Sequence, residues 1–272
     1  MVGGIDLVGK VLETGSSSHA VGDSVVVNGW GIGTDHYGGY AGEARVRSDW
    51  AIQLPQGMAG KDAAKIGTAG YTAMLCAQAM EHSGVSPASG PVLVTGATGG
   101  VGGVAILLLA QLGYEVVAVS GKAEAEADYL KSLGAASVID RTLFEGEPKP
   151  LGRETYGGCI DSCGGKVLAN ILPQIKHSGV VAACGLAAGM PLGTTVAPFI
   201  LRGVTLAGVD SVFQPLEKRL SAYGRFGPLL TADKLDLVSG EERTVGLAQL
   251  PDLGGKMLKG NLRGRYVVDL SI

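Results

Sequence analysis

The chain has 272 residues, 46% of them hydrophobic and 17% charged, with a net charge of −3. That length can bury a sizeable core in one large or two ordinary domains, and the scarcity of charge suits a sheet covered on both faces. The slightly acidic balance excludes the basic surface that nucleic acids or anionic membranes select.

The longest apolar run, around Val101 to Leu112, is too short to span a bilayer. Met1-Val-Gly-Gly-Ile-Asp-Leu7 lacks the basic start and long apolar run of a signal peptide, so none is expected. The four cysteines, Cys76, Cys159, Cys163 and Cys184, are scattered. Cys159 and Cys163 have no partner pair at zinc-ligand spacing, so neither a metal site nor a disulfide is expected, and a reduced, cytoplasmic chain is.

Residues 1–62 read as β-rich. Leu7 to Glu13, Asp23 to Asn28 and Ala41 to Val46 are short strand-like runs between glycine and polar turns. The segment from Asn28 to Tyr40 is a loop rich in glycine and aromatics, of the kind that lines a site or closes a small barrel. His36 within it has no second ligand nearby in sequence and reads as a surface or structural histidine. Lys61 to His82 has helical spacing of apolar residues, interrupted by Gly67 and Gly70. Ser86-Pro87 then ends that pattern.

The strongest functional signal follows. Val92 to Val94 reads as a buried strand, Gly96, Gly99 and Gly102 punctuate a turn, Val104 to Leu112 reads as a helix, and Glu115 to Ser120 as a second strand. A glycine triplet alone is weak evidence, but in this strand–turn–helix–strand setting it brings backbone N–H groups close to a pyrophosphate at a helix N-terminus. Where NAD-binding domains carry an acidic residue for the ribose hydroxyls, this chain has Ser120-Gly121-Lys122. A hydroxyl and an ammonium suit a 2′-phosphate, so NADPH is expected over NADH.

The alternation continues with a helix from Ala125 to Leu133, a strand from Ser137 to Asp140 and a loop with Pro148 and Pro150. Next come a strand from Gly158 to Asp161, a helix from Lys166 to Gln174 and a strand from Gly179 to Cys184. Such alternation argues a doubly wound parallel sheet, an α/β Rossmann domain over residues 63–204. Gly185-Leu186 and Asp210-Ser211 follow strand ends, where these sheets bind ligands. Residues 205–272 form a return segment, helical over 215–260, with a last strand from Gly264 to Leu270.

Several stretches together resemble the zinc-independent medium-chain dehydrogenases/reductases, and within them the acryloyl-CoA reductase branch of quinone-oxidoreductase-like proteins. They are Gly4-Ile-Asp-Leu-Val-Gly9, Gly29-Trp-Gly-Ile-Gly33, Ile66-Gly-Thr-Ala-Gly-Tyr-Thr-Ala-Met-Leu-Cys76 and Val94-Thr-Gly-Ala-Thr-Gly-Gly-Val-Gly102. Further on lie Tyr129-Leu-Lys-Ser-Leu-Gly-Ala135, Ala182-Ala-Cys-Gly-Leu186, Pro198-Phe-Ile-Leu-Arg202 and Gly208-Val-Asp-Ser211.

The resemblance implies NADPH-dependent reduction of the C=C bond of acryloyl-CoA to propanoyl-CoA, in a Rossmann domain joined to a GroES-like catalytic domain. It implies that Thr98, Gly99, Gly100 and Val101 hold the pyrophosphate, that Ser120, Gly121 and Lys122 face the 2′-phosphate, and that Arg265 also contacts the cofactor. Ser162 and Leu206 complete the expected cofactor contacts, and a homodimer is expected. Family members carry a further N-terminal segment that supplies the first barrel strands and a tyrosine beside the nicotinamide. By this resemblance the chain reads as an N-terminally shortened member with a partial β-rich domain.

The chemistry is hydride transfer to the β-carbon of a thioester, with charge building on the thioester oxygen and a proton going to the α-carbon. No residue stands out as the acid. Trp30, Tyr37, Tyr40 and Asp210 are candidates for shaping the pocket. A quinone is the alternative acceptor, and an NADPH-binding protein without turnover the alternative class. A short-chain dehydrogenase is excluded, because no tyrosine is followed four residues later by the lysine that family needs.

Overall fold

The computed structural model describes residues 1–272. The chain divides into two compact units, Met1–Tyr71 with Asp210–Ile272, and Thr72–Val209. Strands β1 (Asp6–Lys10), β2 (Ser24–Asn28) and β3 (Ile52–Gln53) form an antiparallel sheet in the order β1-β2-β3. Its small core gathers Val25, Val27, Ile32 and Ala51, with Leu7, Trp30 and Trp50 packed against them.

The expected strand from Ala41 to Val46 does not form. The segment runs as bends with mostly exposed residues and belongs to no ladder. Alternation makes a segment fit to be a strand, but its hydrogen bonds need a neighbour, and none lies alongside.

Helix α1 spans Gly60–His82 and is broken at Gly67, where φ is 48° and ψ −163°. Any other residue would be strained there. A Cβ would also stand 2.5 Å from Asp6 Oδ2 and run into the Arg265 guanidinium.

The second unit holds six strands. They are β4 (Val92–Thr95), β5 (Val116–Ser120), β6 (Ser137–Asp140), β7 (Tyr156–Asp161), β8 (Ile175–Ala183) and β9 (Thr205–Gly208). All neighbours are parallel, in the order β6-β5-β4-β7-β8-β9. Counted from the first strand of this unit, that is the doubly wound dinucleotide order 3-2-1-4-5-6, and its direction reverses between β4 and β7.

Helices α2 (Gly100–Gln111), α3 (Ala127–Ser132), α4 (Gly165–Ile171) and α5 (Ala197–Arg202) connect or follow these strands. Every residue of α2 from Gly102 to Leu109 is buried. It is apolar all round, as an interior helix must be. A separate core cluster joins Leu93, Val117, Cys159 and Val181 of the sheet to Val167 and Ile171 of α4.

The chain then returns to the first unit through α6 (Leu216–Leu229), α7 (Ala232–Val238), β10 (Thr244–Val245), α8 (Leu250–Leu258) and β11 (Val267–Val268). On α6, Arg219, Ala222, Tyr223 and Phe226 fall on one face and are buried. The last strand is much shorter than Gly264 to Leu270, because β11 pairs with only the two residues of β10. No helix is long and apolar enough to cross a membrane.

Candidate cofactor site

The reversal between β4 and β7 puts the glycine turn at a crevice beyond the strand ends, the place where such sheets bind ligands. Gly96 leaves β4 with φ 58°, and the Gly99 N–H bonds back to Gly96 O at 2.9 Å. Gly99, the N-cap of α2, is extended and offers no side-chain cap. The first N–H groups of α2 therefore lack an acceptor from the cap, and they sit at the positive end of a twelve-residue helix. Gly99 is exposed and Thr98, Gly100 and Val101 are half-buried, so this end of the helix is open to an anion.

Two further features fix the turn. The Ser162 hydroxyl donates to Thr95 O at 3.0 Å, and the Ser162 N–H donates to Thr95 Oγ1 at 3.0 Å. A Cβ on Gly96 would strike Ser162 Oγ, so only glycine fits this crossing. The structure thus gathers Ser162 with Thr98, Gly99, Gly100 and Val101 around one turn.

At the end of β5, Ser120 is buried and its Oγ accepts from the Lys122 N–H at 3.0 Å. Over Gly121 lies a residue the sequence did not single out. The Arg141 guanidinium carbon is 3.4 Å from where a Cβ of Gly121 would stand. Arg141 follows β6, and its Nε pairs with Glu145 Oε1 at 2.7 Å. Asp140, just before it, accepts from the Thr142 hydroxyl and N–H, which holds its carboxyl below the usual carboxylate range. Lys122 and Arg141 therefore bring two cations to adjoining strand ends. A basic residue directly after a strand was visible in the sequence, but the adjacency of β5 and β6 was not.

The remaining expected contacts lie elsewhere. Leu206 sits within β9, paired with Val181, and packs on the core rather than at the strand end. Arg265 is in the first unit. Its Nη2 pairs with Asp6 Oδ2 at 3.1 Å, and its guanidinium also donates to the carbonyls of Lys65 and Ala64 across the Gly67 break. The other Asp6 oxygen accepts from Asn28 Nδ2 and from the Thr68 N–H, each at 2.7 Å.

The candidates for shaping a pocket also belong to the first unit. Trp30 has φ 56° and stacks on Trp50 with centroids 6.1 Å apart, while His36 leans on Trp50 at 4.9 Å. The Arg219 guanidinium, fully buried, lies 4.4 Å from the Trp30 ring and 5.1 Å from the Tyr71 ring. It donates to the carbonyls of Asn28 at 2.7 Å, Gln214 at 2.9 Å and Val212 at 2.6 Å. Burial draws its pKa down, and burial pushes the Tyr71 hydroxyl up to about 12. Trp30 Nε1 and the Tyr71 hydroxyl are buried without a hydrogen-bond partner. Asp210 caps its own loop through Val212 N and Phe213 N. Tyr37 is largely exposed, and Tyr40 covers Gly3 and Gly4.

No cluster of three histidine, cysteine or acidic side chains is gathered as a metal site. The cysteines are free thiols, and Cys159 is pushed well up by burial and then by the nearby Asp161 charge.

Comparison with known proteins bears on the family and the fold. The zinc-binding dehydrogenase family matches residues 100–221. Acrylyl-CoA reductase AcuI of Ruegeria pomeroyi is 48% identical over 99% of this chain and 81% of its own length. The crystal structure of Escherichia coli YhdH with bound NADPH superposes with a TM-score of 0.95 at 45% identity, over 98% of this chain and 81% of that one. Bacillus subtilis YhfP with bound NAD gives 0.94 at 41% identity, over 98% and 81%.

Proposed function

The chain belongs to the zinc-binding-dehydrogenase family of medium-chain dehydrogenases/reductases, and from that premise we propose that it reduces the C=C bond of acryloyl-CoA to propanoyl-CoA with NADPH. The observation that carries the cofactor choice is the end of β5. Lys122 and the Arg141 guanidinium flank Gly121 there, and Ser120-Gly121-Lys122 holds no carboxylate to receive ribose hydroxyls. Two cations suit a 2′-phosphate, arginine by its planar fork and lysine as a point charge.

Bound NADPH would supply the hydride that adds to the β-carbon of the activated alkene. The chain's own part is to hold that cofactor. The uncapped N–H groups of Gly100, Val101 and Gly102 hold the pyrophosphate, Gly99 lets it approach, and Ser162 keeps the turn in place. Arg265 contacts the cofactor in the family reading. Its role in this chain rests equally on the Gly67 break, which it braces through the Lys65 and Ala64 carbonyls.

The chain is also proposed to act as a homodimer in the cytoplasm. Strand β9 is an open sheet edge, and Gly203 to Val209 carries neither the charge nor the proline that guards exposed edges. Val196, Ile200 and Leu201 beside it are exposed. Antiparallel pairing with a second copy would close this edge with one self-complementary surface. Four free thiols fit a reducing compartment.

The test is substrate-dependent NADPH oxidation. Acryloyl-CoA should be turned over with NADPH and far more slowly with NADH. Turnover only with quinones would move the chain to the alternative acceptor, and binding of NADPH without turnover of either would sink the enzyme reading.

A further inference from the structure

Asp161 ends β7 and Thr95 ends β4, side by side at the point where the sheet order reverses. Both are fully buried. Asp161 Oδ1 accepts from the Thr95 hydroxyl at 2.7 Å and from the Cys163 N–H at 3.4 Å, while Oδ2 accepts from the Gly164 N–H at 2.8 Å. No lysine, arginine or histidine touches this carboxylate. Burial raises its pKa and the three donors oppose that rise, so the donors stand in for water and counter-ion. Thr95 Oγ1 in turn accepts from the Ser162 N–H, and the Asp161 main-chain carbonyl accepts from Cys184 N at 2.8 Å. Asp161 thus ties the end of β4 to the loop after β7 through its carboxylate, and holds the loop after β8 through its main-chain carbonyl. A protein does not bury an unpaired charge without a return, and the segments it ties are those that border the crevice.

We propose that Asp161 is a positioning residue for the cofactor turn. It acts through Thr95 and Ser162, locking Gly96 in its left-handed conformation so that the first N–H groups of α2 face the pyrophosphate. This rests on the NADPH reading above and adds to it a residue that does not itself touch the cofactor.

Asp161→Asn preserves size but leaves a single acceptor oxygen. To avoid setting its NH2 group against the Gly164 N–H, two donors facing each other, the amide must turn that oxygen away from Thr95. Thr95→Val removes the link from the other side, and Thr95→Ser retains the hydroxyl. Each full-length variant is titrated calorimetrically with NADPH and with adenosine 2′-monophosphate, which carries the 2′-phosphate but no pyrophosphate.

The expected result is an NADPH affinity about tenfold weaker in Asp161→Asn and Thr95→Val, of the size of one lost buried hydrogen bond. Binding of the monophosphate should be unchanged, and Thr95→Ser should behave as wild type. A merely structural role would weaken both ligands alike or neither. Equal losses for both ligands, or wild-type NADPH binding in folded variants, would overturn the proposal. If Asp161→Asn fails to fold, Thr95→Val decides by the same two ligands. Failure of the wild-type chain to bind NADPH would overturn the cofactor reading and this proposal with it, an outcome distinct from a loss confined to the variants.

Discussion

Replacing Gly102 by alanine tests whether the turn is shaped by close backbone approach. A Cβ there would stand 2.7 Å from Ala97 Cα and 2.9 Å from the Gly96 carbonyl carbon, and would press on the Gly96 oxygen. Carbon atoms rest at about 3.5–4.0 Å, so the turn must retreat by about 1 Å. The obstructing atoms are main chain and cannot rotate away. A retreat of about 1 Å takes the N–H donors of the turn beyond hydrogen-bond reach of a phosphate fitted to the original turn. Each such charge-assisted bond is worth about 1.5–3 kcal/mol, so losing one costs about tenfold to a hundredfold in affinity. Gly15→Ala, outside the turn, is the internal control, because its Cβ would meet nothing within 4 Å. It should lose no more than about threefold, a shift of under 1 kcal/mol. Calorimetric titration with NADPH, alongside thermal melting to establish folding, reads both. A folded Gly102→Ala chain that binds NADPH like the wild type, or a Gly15→Ala chain equally damaged, would refute the reasoning.

Three further outcomes are expected. Lys122→Ala and Arg141→Ala should each weaken NADPH by about five- to tenfold, because both groups are partly solvated, and leave NADH unchanged. Equal effects on the two cofactors in competition titrations would remove these residues from the 2′-phosphate. Gly67→Ala should cost about 3 kcal/mol or more in urea unfolding, since it adds left-handed strain and a collision with the Arg265–Asp6 pair. An unmoved midpoint would mean the helix break is adaptable. Tyr71→Phe should relieve alkaline destabilisation. The folded chain holds this proton up to about 12, while an unfolded tyrosine releases it near 10. The native state therefore binds more protons in that window, and stability falls as pH rises through it. Tyr223, also pushed up by burial, adds a loss of the same sign. The urea midpoint should fall less between neutral and alkaline pH in Tyr71→Phe than in wild type, and equal falls would count against the assignment.

What the sequence disclosed follows from what is local. Strand β4, its turn and α2 are contiguous, and periodicity with glycine spacing suffices to read them. The helix nevertheless begins at Gly100, because glycines that look like turn residues serve here as the first helical turn. Ala41 to Val46 has the alternation of a strand and lacks a neighbour, a fact that no single segment contains. Arg141 gains its meaning only once β6 lies beside β5, and Asp161 only once β7 lies beside β4. The left-handed Trp30 and the buried guanidinium of Arg219 were equally hidden. An arginine on a helix reads as solvated until the carbonyls around it are known.

The strand order has a bearing on how this chain is made. Strand β4 sits in the middle of the sheet, yet one of its two neighbours, β7, lies beyond the whole stretch from Gly96 to Thr155. During synthesis β4, α2 and β5 can assemble as a local unit, but one long side of β4 and the uniformly apolar α2 stay uncovered until Asp161 emerges. The nascent chain therefore passes through an interval with an open parallel edge and an interior helix at its surface, the kind of species that aggregates or engages a chaperone. That side of β4 is closed only by β7, whose last residue is the carboxylate that joins the two strands in the finished crevice.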